Sequence, residues 1–165
     1  MRYQIREKLF SFGDDFWIED GDGNRVFLVD GRAFTLLREK LVLRDAAGNE
    51  LGFLREKLIS LRKAYEIHCG GVHVATVRKD LFNFLRCRFT VDVPGPDDYE
   101  ARGSFLDHEY TVTRGDRTVA TVSKRWFTLR DTYGVEIEPG ENDLLILASA
   151  VVIDQICHDR DGGQS

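Results

Sequence analysis

Cysteine, proline and methionine are all scarce in this chain of 165 residues, with three, three and one respectively. Cys69, Cys87 and Cys157 are too few and too scattered for a disulfide framework, and no CxxC spacing supplies a pair of zinc ligands. A reducing cytoplasm is the compartment this expects. Extended apolar stretches are missing as well: the one strongly apolar run, Leu144 to Ile153, covers about half of the roughly 20 residues a bilayer span needs. Asp143 and Asp154 bracket it, so it is expected to be a buried core segment, with no transmembrane segment in the chain. Met1 to Lys8 has basic residues but no apolar stretch of secretory length after them. There is no excess of positive charge either. Lys and Arg number 23 against 28 Asp and Glu, a formal charge of −5, so nucleic acid is not an expected partner and any anion site must be a local patch.

What remains is ordinary globular material. At 42% hydrophobic and 31% charged residues the composition excludes disorder and fibrous low complexity, and the length suits one domain that buries roughly 70% of its unfolded surface. Pro94-Gly95-Pro96-Asp97-Asp98 and Pro139-Gly140 are the strong breakers, and both are expected to be surface connections rather than domain boundaries.

Between the breaks, short apolar alternation interrupted by Gly-containing turns predicts antiparallel strands. Four segments share a plan: Val26 to Val29 after Asp20-Gly21-Asp22-Gly23-Asn24, Leu51 to Leu54 after Ala47-Gly48-Asn49, Val74 to Val77 after Gly70-Gly71, and Val119 to Val122 after Gly115-Asp116. Their starts differ by 25, 23 and 45, so the last interval has room for a degenerate unit around Tyr99 to Phe105. Eight residues beyond each start stand Phe34, Ile59, Phe82 and Phe127. Internal duplication and the ordinary turn spacing of an all-β protein both account for this pattern. Either way, many hairpin-joined strands leave open edges unless the sheet closes, which favours a barrel.

After Pro139-Gly140 the pattern changes. Asn142 or Asp143 can cap a helix, and Leu144 to Ile153 follows almost without polar interruption, continuing through Gln155, Ile156 and Cys157. Val151-Val152-Ile153 is strand-prone, but the length and the Ala148-Ser149-Ala150 centre favour helix. A helix apolar all round has to be enclosed on most sides. Many antiparallel strands plus one such helix suggest a barrel wound around it.

The strings Tyr3-Gln4-Ile5-Arg6-Glu7-Lys8-Leu9-Phe10-Ser11, Asp15-Phe16-Trp17-Ile18-Glu19-Asp20, Val26-Phe27-Leu28-Val29-Asp30-Gly31 and Leu58-Ile59-Ser60-Leu61-Arg62-Lys63-Ala64-Tyr65-Glu66-Ile67, with the apolar C-terminal helix, resemble the LURP-one-related (LOR) family of the Tubby C-terminal-like superfamily. The resemblance covers nearly the whole chain. It implies a mainly β fold, a closed twelve-stranded antiparallel barrel around a central hydrophobic helix. From the residues themselves one domain is expected over 1–159, with the helix at about 142–159 and the polar, Gly-rich residues 160–165 as a disordered tail. The superfamily includes Tubby-type proteins that bind phosphoinositides and phospholipid scramblases that act at membranes. The family carries no catalytic motif to transfer, and this chain lacks the acylated Cys-rich stretch of scramblases.

Charge is uneven along the chain. Residues 32–90 hold 12 Lys or Arg against 6 Asp or Glu, whereas residues 93–165 hold 7 against 14. Arg86 and Arg88 share one strand face, with Arg78-Lys79 and Arg62-Lys63 in neighbouring units, so Arg62, Lys63, Arg78, Lys79, Arg86 and Arg88 are the candidate anion or lipid site. A solvated barrel exterior is the plainer reading of the same residues. The expected function is a non-enzymatic cytoplasmic module, peripheral to an anionic phospholipid membrane, needing no cofactor. A protein-interaction scaffold is the alternative, and an unrecognised enzyme the remote one.

Other constellations are weaker. Asp20 to Asn24 resembles the start of a calcium loop, but Arg25 and Gly31 stand where an EF-hand needs Gly and Glu, so a hairpin turn is expected. The same glycines lack the third member of a dinucleotide fingerprint. His68, Cys69 and His73 are close in sequence, yet strand alternation sends adjacent side chains apart and no fourth zinc ligand follows. Ser104 has no nucleophile elbow, Cys87 has no partner arrangement, and Glu136 with Glu138 look like solvent-facing carboxylates. Trp17, Trp126, Phe82 and Phe84 are expected in the barrel core or rim.

Overall fold

A computed structural model describes residues 1–6, 15–31, 40–57, 64–83, 86–127 and 132–158. Its strands are β1 (Arg2–Arg6), β2 (Asp15–Asp20), β3 (Arg25–Asp30), β4 (Lys40–Asp45), β5 (Glu50–Lys57), β6 (Ala64–Cys69), β7 (Val72–Asn83), β8 (Arg86–Asp92), β9 (Tyr99–Ser104), β10 (Glu109–Arg114), β11 (Arg117–Ser123) and β12 (Thr132–Ile137). One helix, α1 (Asp143–His158), follows them. Each strand pairs antiparallel with its neighbours in sequence, and β1 pairs with β12. The ring is therefore closed, and among the described strands no edge is left to recruit another chain.

The hairpin chemistry anticipated from the sequence is visible in two turns of one design. The Asp20 Oδ1 accepts the N–H groups of Asp22 and Asn24 at 2.9 Å, and Asp45 Oδ1 accepts those of Ala47 and Asn49 at 3.0 and 2.9 Å. Gly23 and Gly48 supply the positive φ that each turn requires, 82° and 90°. These hydrogen bonds, led by those from Asn24, hold the Asp20 carboxyl below its usual range and aim it at its own turn. The repeated phrases fall in β3, β5, β7 and β11, and the anticipated degenerate unit is β9.

Alternation then sorts each strand. Ile5, Ile18, Val29, Leu54, Ile67, Val77, Phe89 and Val135 point inward and are almost fully buried. Against them lies α1, with every residue from Leu145 to Ile153 buried. Asn142 caps it, its Oδ1 accepting the Leu145 N–H at 3.1 Å, and Tyr3 donates its hydroxyl to Asp143 in the first turn at 2.6 Å. Seven large aliphatic side chains of α1 are buried, each contributing roughly 1.5–3 kcal/mol. Withdrawing the helix would forfeit on the order of 10–20 kcal/mol, as much as the whole stability of an ordinary domain. The helix leaves the barrel only when the barrel unfolds. Residues 159–165, including the expected tail, and residues Phe34, Ile59 and Phe84 lie outside the described residues, as does the side chain of Phe82.

Candidate functional site

Of the six cations singled out from the sequence, the three with described side chains, Arg78, Lys79 and Arg88, do not share one face. Arg62 and Lys63 lie outside the described residues, and the side chain of Arg86 does too. Arg78 and Arg88 come together on the outer wall of β7, β8 and β9, but in company. Arg78 Nε meets Asp92 at 2.8 Å and its Nη1 meets Asp80 at 3.5 Å; Arg88 meets Asp80 at 3.2 Å and Glu100 at 3.7 Å; Arg102 meets Glu100 at 2.8 Å. Thr90 also donates to Asp80. Three arginines thus face three carboxylates. Lys79 is elsewhere altogether: adjacent to Arg78, it takes the opposite parity, and its ammonium sits inside the wall, 8% exposed and 5.9 Å above the Phe89 ring.

Cationic excess appears instead two strands away, on the outer wall of β4, β5 and β6. Leu54 points inward, so Phe53, Arg55 and Lys57 point out; the register places Lys40 opposite Arg55 and Arg55 opposite Glu66. Arg55 Nη2 lies 2.8 Å and Lys57 Nζ 3.6 Å from the Glu66 carboxylate. Lys40 makes no ion pair among the described residues and instead rests 4.4 Å above Phe53. On this ring His68 also stacks, at 4.6 Å and nearly parallel, so Phe53 is sandwiched between an ammonium and an imidazole. Among the described residues, then, one carboxylate serves two of these three permanent cations, and the third rests on a ring. Glu66 remains ionised, because the Arg55 hydrogen bond, then that of His68, holds its carboxyl down at about 2.

The residues Lys40, Arg55 and Lys57 were passed over in the sequence. The clue available there was the alternation Phe53, Arg55, Lys57 around an inward Leu54; what only the fold supplies is the register that brings Lys40 across. His68 and His73, which the sequence argument set aside with Cys69, are likewise register partners on this wall, with ring centres 5.2 Å apart. Among the described residues no three His, Cys, Asp or Glu side chains are grouped to hold a metal ion.

The two tryptophans, expected in the core or at the rim, are both outside the buried core. Trp17 is half-buried beneath the Arg25 guanidinium at 5.2 Å, and Trp126 lies beneath that of Arg2 at 4.6 Å, covering Gly134. Ser104 donates to Asp107 at 2.6 Å in the turn before β10, and Glu136 pairs with Arg2.

Inside the barrel lies a polar cluster that no local pattern announces. Asp154 of α1, wholly buried, accepts from Tyr133 and lies 2.7 Å from His108 Nε2; the His108 ring stacks on Tyr133 at 4.3 Å. His108 is buried and holds the left-handed conformation, φ 51°. Tyr110 packs close by, and burial, reinforced by the Asp154 charge, pushes its phenol well above the ordinary range. A carboxylate, an imidazole and a phenol in line could pass a proton, but all three are closed off from solvent, so their evident work is to fix α1 in the barrel.

A family model described as LURP-one-related matches residues 1–154. The Bacillus subtilis (strain 168) protein YxjI, called uncharacterized, is 33% identical over 154 residues, covering 93% of this chain and 92% of its own length. LURP-one-related 5 of Arabidopsis thaliana is 30% identical over 173 residues, with 93% and 81% covered. The X-ray structure of an Arabidopsis thaliana protein superimposes with a TM-score of 0.64 at 20% identity, covering 94% of this chain and 91% of that one, a likeness of fold. None of these names carries an enzymatic activity. No helix among the described residues is long and apolar enough to cross a membrane.

Proposed function

The chain belongs to the LURP-one-related family, and from that premise we propose that it is a non-enzymatic cytoplasmic module that docks peripherally on anionic phospholipid surfaces through the outer wall of β4, β5 and β6. The observation that carries this reading is the imbalance at Lys40, Arg55 and Lys57, where among the described residues Glu66 is the one carboxylate paired with these cations and Lys40 rests on an aromatic ring. Each cation near an anionic membrane contributes about 1 kcal/mol, so a surplus of two gives reversible rather than permanent attachment. Phe53 adds an apolar surface between the charges, suited to the headgroup boundary. The ion-paired arginines of β7 to β9 contribute little, since their charge is already met.

The experiment is co-sedimentation with phosphatidylglycerol and phosphatidylcholine vesicles at low and high salt. Wild type is expected to pellet with the anionic vesicles, less so as salt screens the charges. Lys40→Ala with Lys57→Ala should abolish pelleting while leaving Arg55 on Glu66. Equal pelleting with both lipids, or an unaffected double variant, removes the reading. A second reading, a protein-interaction scaffold, draws on Trp17 and Trp126 lying half-exposed under arginines, residue types that anchor protein interfaces. It predicts partner binding lost on Trp17→Ala and indifferent to Lys40.

A further inference from the structure

We infer that the docking wall is gated by acidity: His68 and His73 raise its charge as pH falls, so that the protein binds an anionic phospholipid surface more tightly in mildly acidic conditions than at neutral pH. This rests on the docking reading above and adds its regulation. The two histidines are cross-strand partners on β6 and β7, on the same outer wall as Lys40, Arg55 and Lys57, with ring centres 5.2 Å apart. Their surroundings are fixed in charge across the relevant range. On β6, Glu66 lies 3.1 Å from His68 Nε2 and stays ionised. On β5, Arg55 and Lys57 bind that same carboxylate, and Phe53 carries His68 on one face and Lys40 of β4 on the other. On β7, Thr76 meets His73 Nε2 at 2.8 Å, and Arg78 further along is locked to Asp92 of β8.

Histidine is the side chain that ordinarily changes charge between about pH 5 and 8. Counting Lys40, Arg55 and Lys57 against Glu66, the wall has a surplus of two positive charges with both rings neutral, and four with both protonated. Two imidazolium rings this close repel each other in the free protein. An anionic surface relieves that repulsion, so docking and proton uptake assist each other. One added charge corresponds to about fivefold in affinity and two to about thirtyfold.

The test uses the full chain and vesicles of phosphatidylglycerol, a phosphodiester that stays ionised throughout, with affinity measured at about pH 7.5 and 5.5. Other carboxylates also titrate, so the readout is the ratio of the two affinities in wild type compared with His68→Gln/His73→Gln. Wild type should show the larger ratio by roughly fivefold to thirtyfold, with equal binding by both proteins at the higher pH. The exposed single variant His73→Gln, which disturbs the Thr76 and His68 contacts but leaves His68 on Phe53 and Glu66, should retain an intermediate ratio and guards against misfolding of the double variant. Binding with equal ratios overturns the gate and leaves docking intact. Binding at neither pH removes the docking wall, and the gate with it.

Discussion

His108 and Asp154, 46 residues apart in sequence, meet at 2.7 Å inside the barrel, with neither side chain reached by solvent. A carboxylate in the middle of an enclosed helix is costly unless it is fully bonded, and here an imidazole and the Tyr133 phenol bond it. The pair therefore sets the depth and rotation of α1 more firmly than its apolar side chains can, since Leu, Ile and Val tolerate sliding.

Asp154→Leu is expected to destabilise the fold by about 3–5 kcal/mol, because it strips His108 and Tyr133 of a shared acceptor in a dry interior. Asp154→Asn keeps an acceptor oxygen and should lose less. Urea unfolding followed by circular dichroism measures both, and a fully stable Leu variant would show that apolar packing alone positions the helix.

Tyr110 and Tyr133 offer an internal comparison. Tyr133 donates to Asp154, whereas the Tyr110 hydroxyl is buried with no hydrogen-bond partner among the described residues. Removing a paired hydroxyl costs about 1 kcal/mol or more, and removing an unpaired one recovers its desolvation. Tyr133→Phe should lower the urea midpoint, and Tyr110→Phe should leave it unchanged or raise it. Equal losses in the two variants would contradict this assignment.

What could be read in the sequence and what could not follow from one distinction. Strand parity, turn chemistry and an all-apolar helix are local, so the barrel and α1 were legible from Leu144 to Ile153 and from turns such as Asp20 to Asn24. Pairing between distant segments is not local. Asp154 looked like the polar end of an apolar run; its partner His108 comes from a turn that only barrel closure brings to the helix. Lys79 was grouped with Arg78 by adjacency, although alternation sends neighbours to opposite sides of a wall. The charge of Arg78 and Arg88 was weighed as part of a segment total, whereas cross-strand register places Asp80, Asp92 and Glu100 directly beside them. The same register gathers Lys40 with Arg55.

The stability that Glu66 contributes has a defined acid limit. Its carboxyl is held at about 2 in the folded protein against an ordinary value of 4.5, so the folded form binds this proton more weakly than the unfolded chain. The contribution is complete above the ordinary value and disappears as pH falls through the folded one. Comparing wild type with Glu66→Gln in urea removes the background from other carboxylates. The gap between their midpoints should narrow steadily from about pH 5 to about pH 2, and a gap independent of pH would mean that the Arg55 contact is not formed in solution.

Glu141 guards the entry of α1. Its carboxylate is 1% exposed, 3.3 Å from both Arg114 Nη2 and the Tyr99 hydroxyl, and it is also paired with Arg117. Three donors from the barrel rim thus converge on the connection between β12 and the helix. Glu141→Ala should cost about 1–3 kcal/mol and speed hydrogen exchange in the first turn of α1 ahead of its centre. Uniform acceleration along the helix would instead mean that the entry has no stability of its own.

Gly134 is tied on both sides, its register partners being Gln4 on β1 and Ser123 on β11, so the backbone there has no room to retreat. A Cβ at this position would come within 2.6 Å of Trp126 Cε3 and 2.7 Å of Phe127 Cε2. The aromatic rings must therefore move, and with them the Arg2 guanidinium that lies 4.6 Å over Trp126 and is held at 2.6 Å by Glu136. Gly134→Ala is expected to cost about 1–3 kcal/mol, the usual penalty of overpacking, without opening the barrel. In a Trp17→Phe background Trp126 is the sole indole, so its emission should shift to the red and become more accessible to quenchers. Unchanged emission would place Trp126 away from Gly134, and the outer wall of β12 would then be bare rather than covered.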